Sequence, residues 1–175
     1  LPLTFKKIET AAAQFREEME KIIAASEEEI SLVGHSTGGL IIRYFLARRE
    51  AIERIDKAVL IATPNQGSQL ADLAAKVSDS FVGAFKTLDS LQPEKINELD
   101  LDDPQNVKIG AIAGDKSDLL LGYLLEGQND GRVEVTAVEY EGLDDFVILP
   151  YGHLEIHHQF ETAEVVASFL EEGEF

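Results

Sequence analysis

Between Glu29 and Arg49 the chain changes character within five residues. A short apolar run (EISLVG, 29–34) gives way to helical spacing at Leu40, Ile41, Tyr44 and Phe45, and the change falls across Gly34-His35-Ser36-Thr37-Gly38. A serine held on a sharp strand-to-helix turn sits in strained backbone, and glycines on either side let neighbouring chain approach where a Cβ would clash. Glycine and serine are also ordinary turn residues, so the pentapeptide alone is compatible with a plain loop. The strand before it and the helix after it, closing on Arg48 and Arg49 near a helix C-terminus, favour the elbow. Ser36 is therefore a candidate nucleophile.

A serine hydroxyl is a weak nucleophile at neutral pH and needs a base, and the base needs an orienting carboxylate. The chain has no cysteine, which removes thiolate chemistry, disulfides and Cys-based zinc sites and leaves Ser, Asp, Glu and His. Downstream, Asp130 lies in the turn sequence Asn129-Asp130-Gly131, and His153 follows Pro150-Tyr151-Gly152, separated from Ser36 and from each other by 94 and 23 residues. Asn-Asp-Gly is equally a strong β-turn signal, so Asp130 has a purely structural reading as well. Asp115, following a strand in Gly114-Asp115, is the substitute acid. His157, and after it His158, are the substitute bases, with the start of a surface helix as their plainer reading. His153, Glu155, His157 and His158 also suggest a metal cluster, but the spacing is not H-E-x-x-H, so neither metal nor other cofactor is expected. His35 is expected to pack or hydrogen-bond beside the nucleophile.

The 175 residues, 45% of them hydrophobic, suffice for a single domain with a core. A net charge of −18 opposes nucleic acid and anionic lipid surfaces, so no nucleic-acid partner is expected. The longest apolar run, Leu119 to Leu125, is far short of a membrane span, and no signal peptide is visible at Leu1. The compartment stays open between cytoplasm and export.

Phe5, Ile8, Ala12, Phe15, Met19 and Ile22 step by three or four and predict an amphipathic helix from Thr4 to about Ala25. Lys57 to Ala62 and Val107 to Ala113 read as further buried strands. Val133 to Tyr140 and Phe146 to Leu149 read as short extended pieces, and Glu161 to Glu171 as a closing helix. Continuous apolar strands joined by helices predict a parallel sheet covered on both faces, an α/β doubly wound architecture. Residues 69–104 contain no evident strand and are expected to form a helical cap. Its stripe of Phe81, Val82, Phe85, Leu88 and Leu91 is read as packed core or as a substrate surface.

Three segments carry a resemblance to the α/β-hydrolase superfamily, in its bacterial triacylglycerol-lipase and lipase-like esterase branch: GHSTGGLIIRYFLARR at 34–49, VLIATPNQGS at 59–68, and NDGRV at 129–133 followed by YGHLEIHH at 151–158. The resemblance implies an ester hydrolase with Ser36 as nucleophile, Asp130 as acid and His153 as base. The backbone N–H of Thr37 would be one oxyanion donor. It further implies that His35, Pro64, Asn65 and Gln66 line the substrate site, that the region from Leu70 to Asp103 covers it, and that the substrate is a small-molecule or lipid ester. In that superfamily other strands precede the elbow strand, and one ends in a His-Gly loop that supplies a second oxyanion N–H, whereas residues 1–29 predict only a helix. The expected fold is thus an N-terminally truncated α/β-hydrolase sheet with a helical cap insertion, completed by a longer chain, a complementing N-terminal segment or a homo-oligomer. The alternative is a non-catalytic α/β-hydrolase-like module used for binding or assembly.

Overall fold

The computed structural model describes residues 8–48, 54–71, 91–117 and 119–175. The elements are α1 (Ile8–Ala25), β1 (Ile30–His35), α2 (Thr37–Leu46), β2 (Ile55–Ile61), α3 (Pro93–Asn97), β3 (Lys108–Gly114), α4 (Val135–Val138), β4 (Asp145–Leu149) and α5 (Phe160–Glu172). Short 3₁₀ turns occupy Leu120–Leu124 and Ile156–His158. The four strands of the described residues form one parallel sheet in the order β1-β2-β3-β4.

The uninterrupted apolar reading of β2 has its cause in two-sided burial. Ala58 and Leu60 point into a core shared with Met19 of α1, Phe45 of α2 and Ile109 and Ala111 of β3. Val59 and Ile61 point the other way, to Ile112, Leu149 and Phe169 of α5. Strand β1 breaks this pattern: it lies at an edge of the described sheet, beyond the cover of α5, and Val33 is 47% exposed.

Two expectations are corrected. Val133 to Tyr140 is not an extended piece; its centre is the helical turn α4, and the strand character shrinks to one isolated bridge between Asn129 and Glu134. Valine at 135 and 138 satisfies a helical turn as well as a strand, because a step of three puts both on one buried face against β3. In α1 the inward stripe runs through Ile8, Ala11, Ala12 and Met19, with Phe15 and Ile23 packed beside the core, while Ile22 is 50% exposed. Ala11 and Ala12 pack with Leu40 and Ile41 of α2. Residues 4–7 of the expected helix, and Phe81, Val82, Phe85 and Leu88 of the expected cap, lie outside the described residues.

Candidate active site

Ser36, Asp130 and His153 all lie beyond the carboxyl ends of strands, after β1, β3 and β4 respectively. Ser36 takes φ 55° and ψ −128°, a region that L residues rarely occupy and that costs on the order of 1–3 kcal/mol. The conformation is held from both sides: the Ser36 N–H donates to the Ile61 carbonyl (2.8 Å), and the Ser36 carbonyl accepts from the Gly39 N–H (3.0 Å). The bend lifts the hydroxyl off the strand and opens α2 directly behind it. The first N–H groups of that helix, beginning with Thr37, have no acceptor within the helix.

The glycines divide this work differently from the expectation. A Cβ on Gly34 would lie 2.7 Å from the backbone nitrogen of Gly39, and one on Gly39 would lie 2.0 Å from Thr63 Oγ1. A Cβ on Gly38 would meet no atom of the described residues within 4 Å. Among the described residues, close approach therefore requires Gly34 and Gly39. Gly114 is a further such point, since a Cβ there would meet the Tyr151 carbonyl at 2.3 Å and Asp130 Cβ at 2.9 Å. Its bare backbone lets the Asp130 turn and the His153 loop converge over the end of β3.

Asp130 is 1% exposed and divides its carboxylate. Oδ1 accepts the N–H groups of Arg132 (2.9 Å) and Val133 (2.8 Å), which closes the turn; Oδ2 lies 2.7 Å from His153 Nδ1. The other ring nitrogen, Nε2, is 3.0 Å from Ser36 Oγ. Main-chain bonding strengthens the arrangement, because the His153 N–H donates to the Asp130 carbonyl at 2.8 Å. A carboxylate that accepts at Oδ2 requires the proton on Nδ1, which leaves Nε2 free to accept from the serine.

Asp115, the substitute acid, directs its backbone N–H to the Leu149 carbonyl at 3.2 Å, while the carboxylate that meets the histidine ring belongs to Asp130. His157 stacks on His35 with centroids 4.0 Å apart, so it reaches the site through another ring. His158 in turn lies 3.9 Å from His157. The four histidines meet by ring faces and edges, and no group of three His or acidic side chains among the described residues is arranged to hold a metal ion. Burial, with the nearby His153 and His157, pushes the His35 imidazole down to about 4. Burial also lowers His157, aided by His158 and His153.

The loop after β2, whose Pro64, Asn65 and Gln66 are expected to line the substrate site, meets the segment around α4. Asn65 is buried, and its amide nitrogen donates to the Val138 carbonyl (2.7 Å); the Gln66 amide donates to the carbonyls of Thr136 and Glu139. Pro64, just before them, is buried. The two amides thus tie this loop to the α4 segment, and Gln66 stays exposed. His35, of the four expected lining residues, stands against His153. Sequence reasoning missed Gly39 and Gly114; the doubled Gly38-Gly39 and the glycine closing β3 were the available signals.

Residues 2–73 match the family described as "Putative serine esterase (DUF676)". Among solved structures, the mature form of Bacillus licheniformis lipase BlEst2 superposes with a TM-score of 0.75 at 24% identity, over 95% of this chain and 74% of that one. The metagenomic carboxyl esterase MGS0156 matches with a TM-score of 0.72 at 19% identity, over 97% of this chain and 63% of that one. Phospholipase PlaB from Legionella pneumophila matches with a TM-score of 0.68 at 18% identity, over 93% and 48%. The chain has the α/β-hydrolase fold, and lipases and esterases are its structural neighbours. It spans 40% of the propeptide form of the Bacillus lipase. No helix among the described residues is long and apolar enough to cross a membrane.

Proposed function

We propose that the chain belongs to a serine hydrolase that cleaves carboxylic esters through an acyl-enzyme. The observation that carries this reading is the unbroken line from Asp130 Oδ2 through the His153 ring to Ser36 Oγ, with contacts of 2.7 and 3.0 Å. His153 Nε2 takes the hydroxyl proton as Ser36 Oγ attacks the ester carbonyl, and Asp130 stabilises the imidazolium. The tetrahedral oxyanion is received by the Thr37 N–H at the start of α2, where the helix dipole adds to the attraction. His153 then passes its proton to the departing alcohol. In the second half it deprotonates a water, which attacks the acyl carbon and releases the acid and Ser36.

An ester with an apolar portion suits the surroundings. Leu154, next to the base, is 50% exposed, and Tyr123 and Leu124, on the turn that packs behind Asn129 and Gly131, are 79% and 60% exposed. The match to a serine-esterase family over the elbow region, and the lipase, carboxyl esterase and phospholipase among the neighbours, support the same class. A fluorophosphonate probe should label the folded protein at Ser36, and Ser36→Ala should abolish labelling and ester turnover. A folded wild-type protein that takes no label would overturn the reading.

A further inference from the structure

His153 is held at four points, and only two of them belong to its ring. Asp130 grips it twice, ring by carboxylate and main-chain N–H by carbonyl. On the opposite side Ser36 meets the ring, and the fourth contact comes from the residue before the serine: His35 Nε2 lies 3.0 Å from the main-chain carbonyl of His153. A carbonyl only accepts, so His35 must carry its proton on Nε2. We propose that His35 is a positioning residue for the base, its Nε2–H tying the His153 carbonyl to the elbow so that nucleophile and base stay in register.

The role rests on the hydrolase reading above. Ser36 and His35 are consecutive, so the elbow clamps residue 153 by side chain and by main chain at once, mirroring the double grip of Asp130. Without the fourth contact the His153 carbonyl loses its hydrogen bond to the elbow, and the ring can tilt from the serine while keeping its carboxylate. The loop's other main-chain bonds lie to either side of that carbonyl: the N–H groups of Glu155 and Ile156 donate to the Gly152 carbonyl at 3.0 and 2.9 Å, while Leu154 itself is exposed. The His157 ring covers His35 at 4.0 Å with a 27° interplanar angle, which limits rotation of the strut. A neutral strut also suits its place, because its ring centroid is 4.9 Å from that of His153, and a second positive charge there would oppose the imidazolium formed in each step.

The test combines kinetics with direct observation of the proton. His35→Phe keeps a stacking ring and removes the donor; His35→Gln loses the ring but offers an amide N–H of similar reach. At equal thermal stability, His35→Phe should lower kcat about tenfold with KM within about twofold, and His35→Gln should recover most of that loss. Nitrogen-resolved NMR of the wild-type histidines should show His35 protonated at Nε2 and bare at Nδ1. A Phe variant as active as wild type, a Gln variant no better than Phe, or the opposite His35 tautomer would each overturn the proposal. If His35→Phe does not fold, the tautomer and the Gln variant decide alone. A wild-type protein that takes no fluorophosphonate label sinks the hydrolase reading itself, whereas a labelled wild type with an equally active Phe variant sinks only the strut.

Discussion

At Asp130 the turn-forming and the catalytic readings of Asn-Asp-Gly coexist, because a carboxylate has two oxygens. Oδ1 satisfies the N–H groups of Arg132 and Val133 and Oδ2 faces the base, so neither use competes with the other. Asn129 Oδ1 adds a bond to the Gly131 N–H at 2.9 Å, and Gly131 takes φ 93°, which accounts for the residue types on both sides. Asp130→Asn keeps the turn acceptor but presents an amide donor to His153 Nδ1, favouring the tautomer that cannot accept the serine proton. Ester turnover should fall by roughly 10³–10⁴-fold in Asp130→Asn and by less than about threefold in Asp115→Asn. Steady-state kinetics of the two variants checks this, and the reverse ranking would reassign the acid. Both aspartates were legible as candidates and the resemblance favoured Asp130; the contact of its carboxylate with His153 depends on which loop crosses over Gly114.

Among the elements, α2 does more than carry the elbow. Arg43 in its last turn is 5% exposed and is held by the two oxygens of Asp103 (3.1 and 3.2 Å), by the Leu101 carbonyl (2.8 Å) and by the face of Tyr140 (3.9 Å to the centroid). It thus joins the elbow helix to the segment after α3 and to the end of α4. Removing one partner of a buried pair leaves an uncompensated charge, so Arg43→Ala should destabilise the fold by about 3–5 kcal/mol in urea unfolding. Arg43→Met combined with Asp103→Leu should lose much less. Helical spacing marks position 43 as polar among apolar neighbours, yet nothing in the sequence shows that two later segments close over it. The missed turn α4 has the same origin: its valines were read by strand propensity, and contact with β3 decided otherwise.

Over the whole molecule, the charge of −18 dominates any acid titration, so the part due to the site has to be read as a difference. His35 is depressed to about 4 in the folded protein, against roughly 6.5 in an unfolded chain. Between those values the unfolded state binds a proton that the native state does not, so this group makes stability fall as pH drops from about 6.5 toward 4. His157 is shifted in the same direction. Denaturation midpoints at pH 7, 5.5 and 4.5 should decline more steeply for wild type than for His35→Gln. Parallel declines would show that His35 takes up its proton as readily in the folded protein as in the unfolded one.

Local sequence determined the elements that repeat a short-range pattern: the helices α1, α2 and α5, the apolar strands β1 to β4, and the elbow whose glycines and serine permit its backbone. Those signals depend on neighbours within about four residues, which the chain displays openly. Tertiary structure decided what depends on distant segments meeting at the carboxyl edge of one sheet. It set the Asp130 carboxylate against His153, brought Gly39 against Thr63, and tied the amides of Asn65 and Gln66 to carbonyls of the α4 segment. It also placed His35 beneath the carbonyl of a residue 118 positions later, a contact that follows from the crossing of loops and from no pattern along the chain.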